Sequence, residues 1–172
     1  SNLIADAYYA LGSSYAEESR YEDAIVNFKK VIELDKSDLS GQAAVAIADI
    51  YVKLDKPDLA IKEYTNIAQD YPNLAHLIYP KMADLFYKIG NFNEAGDFYR
   101  KSLDVVPVRE MAVIQFKIAE VLQAQGNFDG ATEEYLKVAY LYSENNDLVV
   151  KALLRVAKIY EDKENFRQAM DI

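Results

Sequence analysis

Hydrophobic positions along the chain follow the period of an amphipathic α-helix. Tyr8, Leu11 and Tyr15 stand at positions i, i+3 and i+7, which share one face of a helix with 3.6 residues per turn. After a short polar stretch, residues 24–32 repeat this spacing. The chain therefore opens with two predicted helices that pack as a hairpin through their apolar faces.

The same hairpin recurs along the whole chain. The segments RYEDA, KPDLA, NFNEA, NFDGA and NFRQA each end on an alanine, and these alanines recur every 35 to 38 residues: Ala24, Ala60, Ala95, Ala131 and Ala169. Twelve residues before each one stands another small residue: Gly12, Ala48, Ala83, Ala119 and Ala157. Small residues let two helix backbones approach closely, and a glycine in Gly90-Asn91 or Gly126-Asn127 breaks the hairpin at its turn. Such hairpins bury their apolar faces by stacking on their neighbours.

This pattern resembles the tetratricopeptide repeat, whose signature is W-x2-L-G-x2-Y followed by A-x3-F over about 34 residues. The matching residues of the first repeat are Tyr8, Leu11, Gly12, Tyr15, Ala24 and Phe28. The resemblance implies an all-α fold: a right-handed α-α superhelix, or solenoid, of about four and a half helical hairpins in a single domain over residues 1–172. The expected repeats are residues 5–38, 41–74, 76–109, 112–145 and a truncated 150–172.

Three departures from the repeat lead to specific expectations. Pro80 stands near the start of the third repeat, so that helix should begin late, near Tyr79, or bend there. Gly96 and Gly130 should weaken the second helix of their repeats or permit closer packing. The segment SENNDLVV should lengthen the last connection and rotate the final repeat.

The final repeat runs out of sequence. A unit of about 34 residues that begins at Val150 would extend past Ile172, so we expect a segment of a longer protein. An open last repeat should expose Val149, Leu153 and Val156, and that end of the stack could self-associate.

Charge and composition narrow the function classes. The formal charge of −9 disfavours phosphate backbones and anionic lipids, so we expect no nucleic-acid partner. No apolar run approaches about 18 residues, so no direct membrane insertion is expected. The absence of cysteine suits a cytoplasm or a bacterial periplasm equally. Segments such as QDYPNLAH resemble repeats of bacterial envelope-associated lipoproteins, so the compartment stays open between these two.

Catalytic and metal-binding patterns are missing from the sequence. The one histidine, His76, lies in a connection between repeats, and there is no cysteine, so a zinc site of the usual Cys/His kind is excluded. The six glycines form no phosphate-binding loop. Most of the 14 tyrosines stand at packing positions of the repeat. We expect no enzymatic activity, no cofactor and no metal.

The resemblance implies a binding surface on the concave groove, which the first helix of each hairpin lines. An apolar row there comprises Tyr9, Val45, Pro80, Phe116 and Leu154, and charged rows run beside it. The predicted groove residues are Tyr9, Val45, Asp49, Lys81, Asp84, Phe116, Lys117, Glu120, Leu154, Arg155 and Lys158. Lys81 with Asp84, and Lys117 with Glu120, have the i, i+3 spacing of ion pairs on one helix. Alternatively, the apolar row packs between helices and the charges only bridge repeats.

These residues differ from the carboxylate clamp of the chaperone-binding members, because Tyr9, Ser13 and Ala46 stand at the clamp positions. We therefore expect no recognition of an acidic C-terminal chaperone tail. An apolar row beside charges favours an amphipathic helix or a mixed hydrophobic segment as partner. The sequence predicts a protein-interaction scaffold without catalysis. The alternatives are a self-assembling module that stacks end to end and an adaptor attached to a catalytic domain elsewhere.

Overall fold

A computed structural model describes residues 3–35 and 37–162. These residues form nine α-helices and, at Pro72–Leu74, one 3-10 turn. The helices are α1 Leu3–Glu17, α2 Tyr21–Leu34, α3 Asp38–Lys53, α4 Pro57–Asp70, α5 Ala75–Lys88, α6 Phe92–Leu103, α7 Val108–Ala124, α8 Phe128–Leu141 and α9 Asn146–Asp162. Odd-numbered helices open the hairpins and are called A helices, and even-numbered helices are called B helices. The predicted all-α fold of stacked hairpins is confirmed.

The first four A helices turn into their B helices through a residue with left-handed backbone. Gly90 and Gly126 have φ of 84° and 78°, and Ser19 and Asp55 take the same conformation in the first two hairpins, with φ of 61° and 54°. The amide that follows this residue donates to the carbonyl five residues earlier in all four turns, as from Asn127 N–H to the Leu122 oxygen at 2.9 Å. This hydrogen bond closes the end of a helix at a left-handed residue. The glycine turns predicted from the sequence are confirmed.

The chain divides into two compact units, residues 1–78 and residues 79–172. The core of the first unit contains Ala5, Ala24, Phe28, Val31, Ala43, Ile47 and Ile50. The second unit has two clusters, one of Ala83, Ala95, Tyr99, Val106, Ile114, Ile118 and Val121, and one of Ala119, Ala131, Tyr135, Val138, Ala152, Val156 and Ile159. The repeat alanines Ala24, Ala95 and Ala131 lie in these clusters, Ala60 is also fully buried, and Ala169 lies outside the described residues.

Small residues are required where helices approach closely. A Cβ added to Gly12 would stand 3.0 Å from two ring carbons of Phe28, which explains the glycine of the first A helix. Gly96 is buried, and its Cβ would stand 3.4 Å from Val121. A Cβ on Gly130 would stand 2.7 Å from Asn127, whose side chain accepts a hydrogen bond from the Gly130 amide. Gly130 therefore leaves room for the side chain of Asn127, whereas the 3.4 Å at Gly96 is an ordinary van der Waals distance and does not require a glycine.

The expectation that α5 starts near Tyr79 is wrong. The helix begins at Ala75, directly after the 3-10 turn, and contains Pro80 at its sixth position. The chain is already helical when it reaches the proline, because the turn at Pro72–Leu74 leads straight into the helix. Because proline has no backbone N–H, one hydrogen-bond donor is missing from the second turn of α5.

Two expectations about the last repeat are also corrected. The connection from α8 to α9 has four residues, 142–145, as does the connection from α6 to α7, so the loop is not lengthened. The additional length lies in helix α8, which has 14 residues where α6 has 12. Val156 is fully buried against the α8 core, because α9 packs on α8 as α7 packs on α6. Val149 and Leu153 are half-buried.

Candidate functional site

A groove lies between helices α7 and α9 in the second unit. It has a volume of about 560 Å³ and is called the α7–α9 groove below. Its lining residues are Phe116 and Glu120 from α7 and Lys151, Leu154, Arg155 and Lys158 from α9. Five of these six were predicted from the sequence to line a binding surface. The two helices bring them together because the four residues of α9 are spaced i, i+3, i+4 and i+7, on one helix face.

A smaller pocket of about 340 Å³ adjoins this groove. Its lining residues are Tyr87, Glu120, Gln123, Ala124, Phe128 and Arg155. Glu120 and Arg155 line both cavities, so this ion pair forms the border between them. The candidate site thus has an apolar and basic groove on one side of the pair and a pocket with aromatic walls on the other.

The α9 side of the groove exposes an apolar side chain between cations. Leu154 is 65 % exposed, whereas most leucines of the A helices are partly or fully buried. Lys151 stands one turn before it and Lys158 one turn after it, and both are exposed. Within the part of the chain that the structure describes, neither lysine makes an ion pair. This face of α9 therefore exposes two ammonium groups that have no ion-pair partner among the described residues.

Charged groups of the predicted surface bridge neighbouring repeats. The Lys117 ammonium group bonds to the Asp84 carboxylate of the preceding A helix. Arg155 Nη2 lies 3.8 Å from Glu120 Oε1, again one A helix back. The direct partner of Lys117 is thus not Glu120 on its own helix, since adjacent A helices are close enough for these side chains to reach across. The contact between Asp84 and Lys117 is of the kind that the alternative prediction gives, in which the charges bridge repeats.

Tyrosines of two B helices also bond to carboxylates of the A helices. The Tyr99 hydroxyl donates to Asp84 Oδ1 at 2.5 Å, and the Tyr64 hydroxyl donates to Asp49. Burial, and then the hydrogen bond to Asp84, raise the pKa of Tyr99. Each of these aspartates follows the small residue of its A helix and precedes its tyrosine by 15 residues. Asp84 is therefore held by two partners within the stack.

Glu120 has a different environment from the aspartates. Burial raises the pKa of its carboxyl, and the cations Arg155 and Lys117 oppose that shift. The tyrosine at the equivalent position, Tyr135, donates to Gln123 at 2.9 Å and not to Glu120. Glu120 thus keeps its carboxylate toward the groove and pairs loosely with Arg155.

The predicted apolar row splits between core and surface. The Tyr9 ring packs on Phe28 with centroids 5.4 Å apart, and the Phe116 ring packs on the fully buried Tyr135 at 5.1 Å. Val45 is only 8 % exposed, so it offers little surface to a partner. Leu154, in contrast, faces solvent.

Unit 1 contains three members of the predicted surface, Tyr9, Val45 and Asp49. Burial, and to a smaller extent the nearby Asp49, raise the pKa of Tyr9. Lys81 is half-buried on α5. Lys151 was not predicted from the sequence, although a helical register counted back three residues from Leu154 reaches it. Tyr87 and Phe128 were not predicted either, because their place in the small pocket depends on how helices α5, α7 and α8 meet.

Among the described residues, no cluster of three or more His, Asp and Glu side chains is arranged to hold a metal ion. His76 Nδ1 lies 2.9 Å from the Asn73 carbonyl oxygen, at the start of α5. None of the helices in the described ranges is both long enough and apolar enough to span a membrane.

Comparison with known proteins identifies the repeat. Two tetratricopeptide-repeat family models match this chain, one at residues 5–38 and the other at residues 42–74. The chain is a tetratricopeptide-repeat protein. Among curated proteins, the type IV pilus assembly protein PilF of Pseudomonas aeruginosa is 23 % identical over 197 residues, which cover 92 % of this chain and 75 % of PilF.

Solved structures with the same fold include MamA and a kinesin-related repeat protein. The crystal structure of MamA has a TM-score of 0.76 at 18 % identity and covers 98 % of this chain and 87 % of MamA. A putative kinesin light chain with TPR-like repeats from Podosopora anserina has a TM-score of 0.72 at 12 % identity, with coverage of 96 % and 90 %. At this identity the likeness concerns the fold. Together, the repeats and these similar proteins support a protein-interaction scaffold.

Proposed function

We propose that the tetratricopeptide-repeat protein holds a segment of a partner protein in its α7–α9 groove, without catalysis. The observation that carries this proposal is the exposed Leu154 in a groove of about 560 Å³ beside Phe116. The occupant is an amphipathic helix or a mixed hydrophobic segment, because the groove combines an apolar floor with charged walls.

The position of Leu154 allows it to contribute free energy to the binding of a partner. A single exposed leucine on a flat surface is common and needs no explanation. Leu154 instead lies in a concavity next to an aromatic ring, where an apolar side chain of a partner would exclude water from both. Removing a leucine side chain from water contributes about 1.5–3 kcal/mol, which is enough to make it an anchor of a modest interface.

The relatives suggest a setting for this binding. PilF of Pseudomonas aeruginosa is named as a type IV pilus assembly protein. We extend the proposal to a bacterial envelope setting, in which the chain holds a subunit during assembly of a larger structure. Tyr9 and Asp49 remain proposed partner contacts of the first unit by itself, and Lys81 remains a proposed contact of the second unit.

The direct test replaces the anchor. Leu154→Asp should weaken binding of partners captured with the full-length protein by at least about tenfold, because a charge replaces the buried apolar contact. Val26→Asp is the matched control, since Val26 is 59 % exposed on helix α2 of the other unit. Circular dichroism should show both variants folded. Undiminished binding by Leu154→Asp would contradict the groove.

Phe116 is a poorer probe than its position in the groove suggests. Its ring packs on Tyr135 in the core, so Phe116→Ala would destabilise the fold as well as the surface. A loss of binding in that variant could not be assigned to the groove. Leu154 avoids this ambiguity because most of its side chain is in solvent.

End-to-end self-association is the second candidate. Leu3 and Ile4, at the start of α1, are 80 % and 61 % exposed, and they favour contact with another apolar surface. Sedimentation velocity over a wide range of concentrations tests this candidate. A sedimentation coefficient that does not change with concentration would argue against it.

A further inference from the structure

We infer that the partner segment of the α7–α9 groove is an acidic amphipathic helix, with one carboxylate about a turn before its apolar residues and another about a turn after them. This inference rests on the proposed function and adds the chemistry of the partner. The cations that carry it are Lys151, Arg155 and Lys158, and the apolar floor is Leu154 with Phe116.

The side chains that line the groove carry a net positive charge, opposite in sign to the charge of the whole chain. The chain as a whole carries a formal charge of −9, yet three cations and one carboxylate line this groove. Lys151 and Arg155 are four residues apart on α9, and Arg155 and Lys158 are three apart. Like charges at these spacings destabilise a helix by a few tenths of a kcal/mol per pair. An anionic partner would relieve this repulsion.

The positive charge of the groove lining is only partly neutralised by carboxylates of this chain. Glu120 is the one acidic residue of the groove lining, and it lies 3.8 Å from Arg155, too far for a direct hydrogen bond. Lys151 and Lys158 make no ion pair with any described residue. Two of the three cations are thus available to a partner, and the third can exchange Glu120 for a carboxylate of that partner.

The spacing between Lys151 and Lys158 suits a helical partner. Lys151 and Lys158 are seven residues apart, so about 10 Å of helix axis separates them, with Leu154 between them. A partner helix that lies along α9 would place carboxylates at the same separation if they were also seven residues apart. Its residues three and four positions after the first carboxylate would then face Leu154 and Phe116.

The binding test uses two synthetic helical peptides of equal length. Both carry leucines at the stripe positions, and they differ only in glutamate or lysine at the two flanking positions. Fluorescence anisotropy with the intact protein should show the glutamate peptide binding at least about tenfold more tightly. Its affinity should fall between about 0.05 M and 0.5 M salt, because exposed charges are screened over this range.

Variants of the protein then assign the effect to these residues. Lys151→Glu with Lys158→Glu should abolish the preference for the glutamate peptide. The matched control is Lys29→Glu with Lys62→Glu, two exposed lysines on B helices of the first unit, which should keep the preference. Glu120→Gln should tighten binding of the glutamate peptide severalfold, because it removes a repulsive carboxylate and releases Arg155.

The outcomes separate this inference from the proposal beneath it. Equal binding of both peptides, with loss of binding in Leu154→Asp, would overturn the acidic partner and leave the groove in place. Binding of neither peptide would overturn both. Tighter binding of a single-stranded RNA oligonucleotide than of the glutamate peptide would also overturn the inference, since the cations would then serve a phosphate backbone.

Discussion

The residue in the middle of each turn between an A helix and its B helix has a left-handed backbone, but its side chain varies. Glycine occupies this position in the third and fourth hairpins, whereas Ser19 and Asp55 occupy it in the first two. A residue with a Cβ carries a steric cost of roughly 1–2 kcal/mol in this conformation. The first two turns are therefore strained relative to the last two.

Substitutions at Ser19 and at Gly126 should change the free energy of unfolding in opposite directions. Ser19→Gly should raise the free energy of unfolding by up to about 1 kcal/mol, since the relief of strain exceeds the entropy that glycine adds to the unfolded chain. Gly126→Ala should lower it by about 1 kcal/mol for the opposite reason. Chemical denaturation with both variants measures the two changes. An unchanged stability in both would show that the left-handed residue carries no strain.

At the scale of elements, a tyrosine and two charged groups join three helices of the second unit. Tyr99 from α6 donates to Asp84 on α5, and Lys117 from α7 bonds to the same carboxylate. The Lys117 ammonium also lies 5.6 Å from the centre of the Tyr99 ring. The arrangement ties a B helix to its own A helix and to the A helix of the next repeat.

This arrangement predicts an alkaline loss of stability. The pKa of Tyr99 is raised in the folded state, and its unfolded value is about 10. Its contribution is fully present below the unfolded pKa and is lost as the pH rises above that value, because the unfolded chain releases the proton more easily. The wild-type protein should therefore lose more stability above about pH 10 than Tyr99→Phe.

Thermal unfolding as a function of pH measures this difference. Near neutral pH, Tyr99→Phe should cost about 0.5–1.5 kcal/mol, the usual range for one hydrogen bond. Tyr140→Phe is the control, because Tyr140 is 77 % exposed. Parallel pH profiles for the wild-type protein and Tyr99→Phe would contradict the assigned role of Tyr99.

At the scale of the whole molecule, stability should be distributed by unit, because stacked repeats contact mainly their neighbours. Phe28 is 2 % exposed in the core of the first unit. Phe28→Ala should cost about 3–5 kcal/mol. It should speed amide hydrogen exchange in helices α1–α3 and leave α7–α9 protected. Equal acceleration in all helices would indicate that both units unfold as one.

Much of the fold could be predicted from the sequence because its signals are local. The glycine turns follow from backbone sterics, and the helix faces follow from the 3.6-residue period. Pro80 shows the limit of such reasoning, since α5 begins directly after the 3-10 turn and is already helical five residues before the proline. Val156 shows another limit, because packing on α8 buries a residue that an open end was expected to expose.

The candidate site was less predictable than the fold. Register placed Phe116, Leu154 and Arg155 on the correct helix faces, but burial divided them: Phe116 joins the core, while Leu154 remains in solvent. Lys151 was missed because the repeat motif has no position for it. Whether a residue that faces a groove is available to a partner depends on the packing of the next helix.

The period of small and aromatic residues by itself determined the order of the helices and the faces that they bury, because these depend on helix geometry and on the size of neighbouring side chains. Only the tertiary structure decided how the charges pair. Lys117 has Glu120 on its own helix and Asp84 on the preceding A helix within its range, and the distance between the two helices selects Asp84. Between the next two A helices, α7 and α9, Arg155 is only loosely paired with Glu120, and Lys151 and Lys158 are exposed beside Leu154. No spacing along one helix encodes the separation between two, and the groove exists only through that separation.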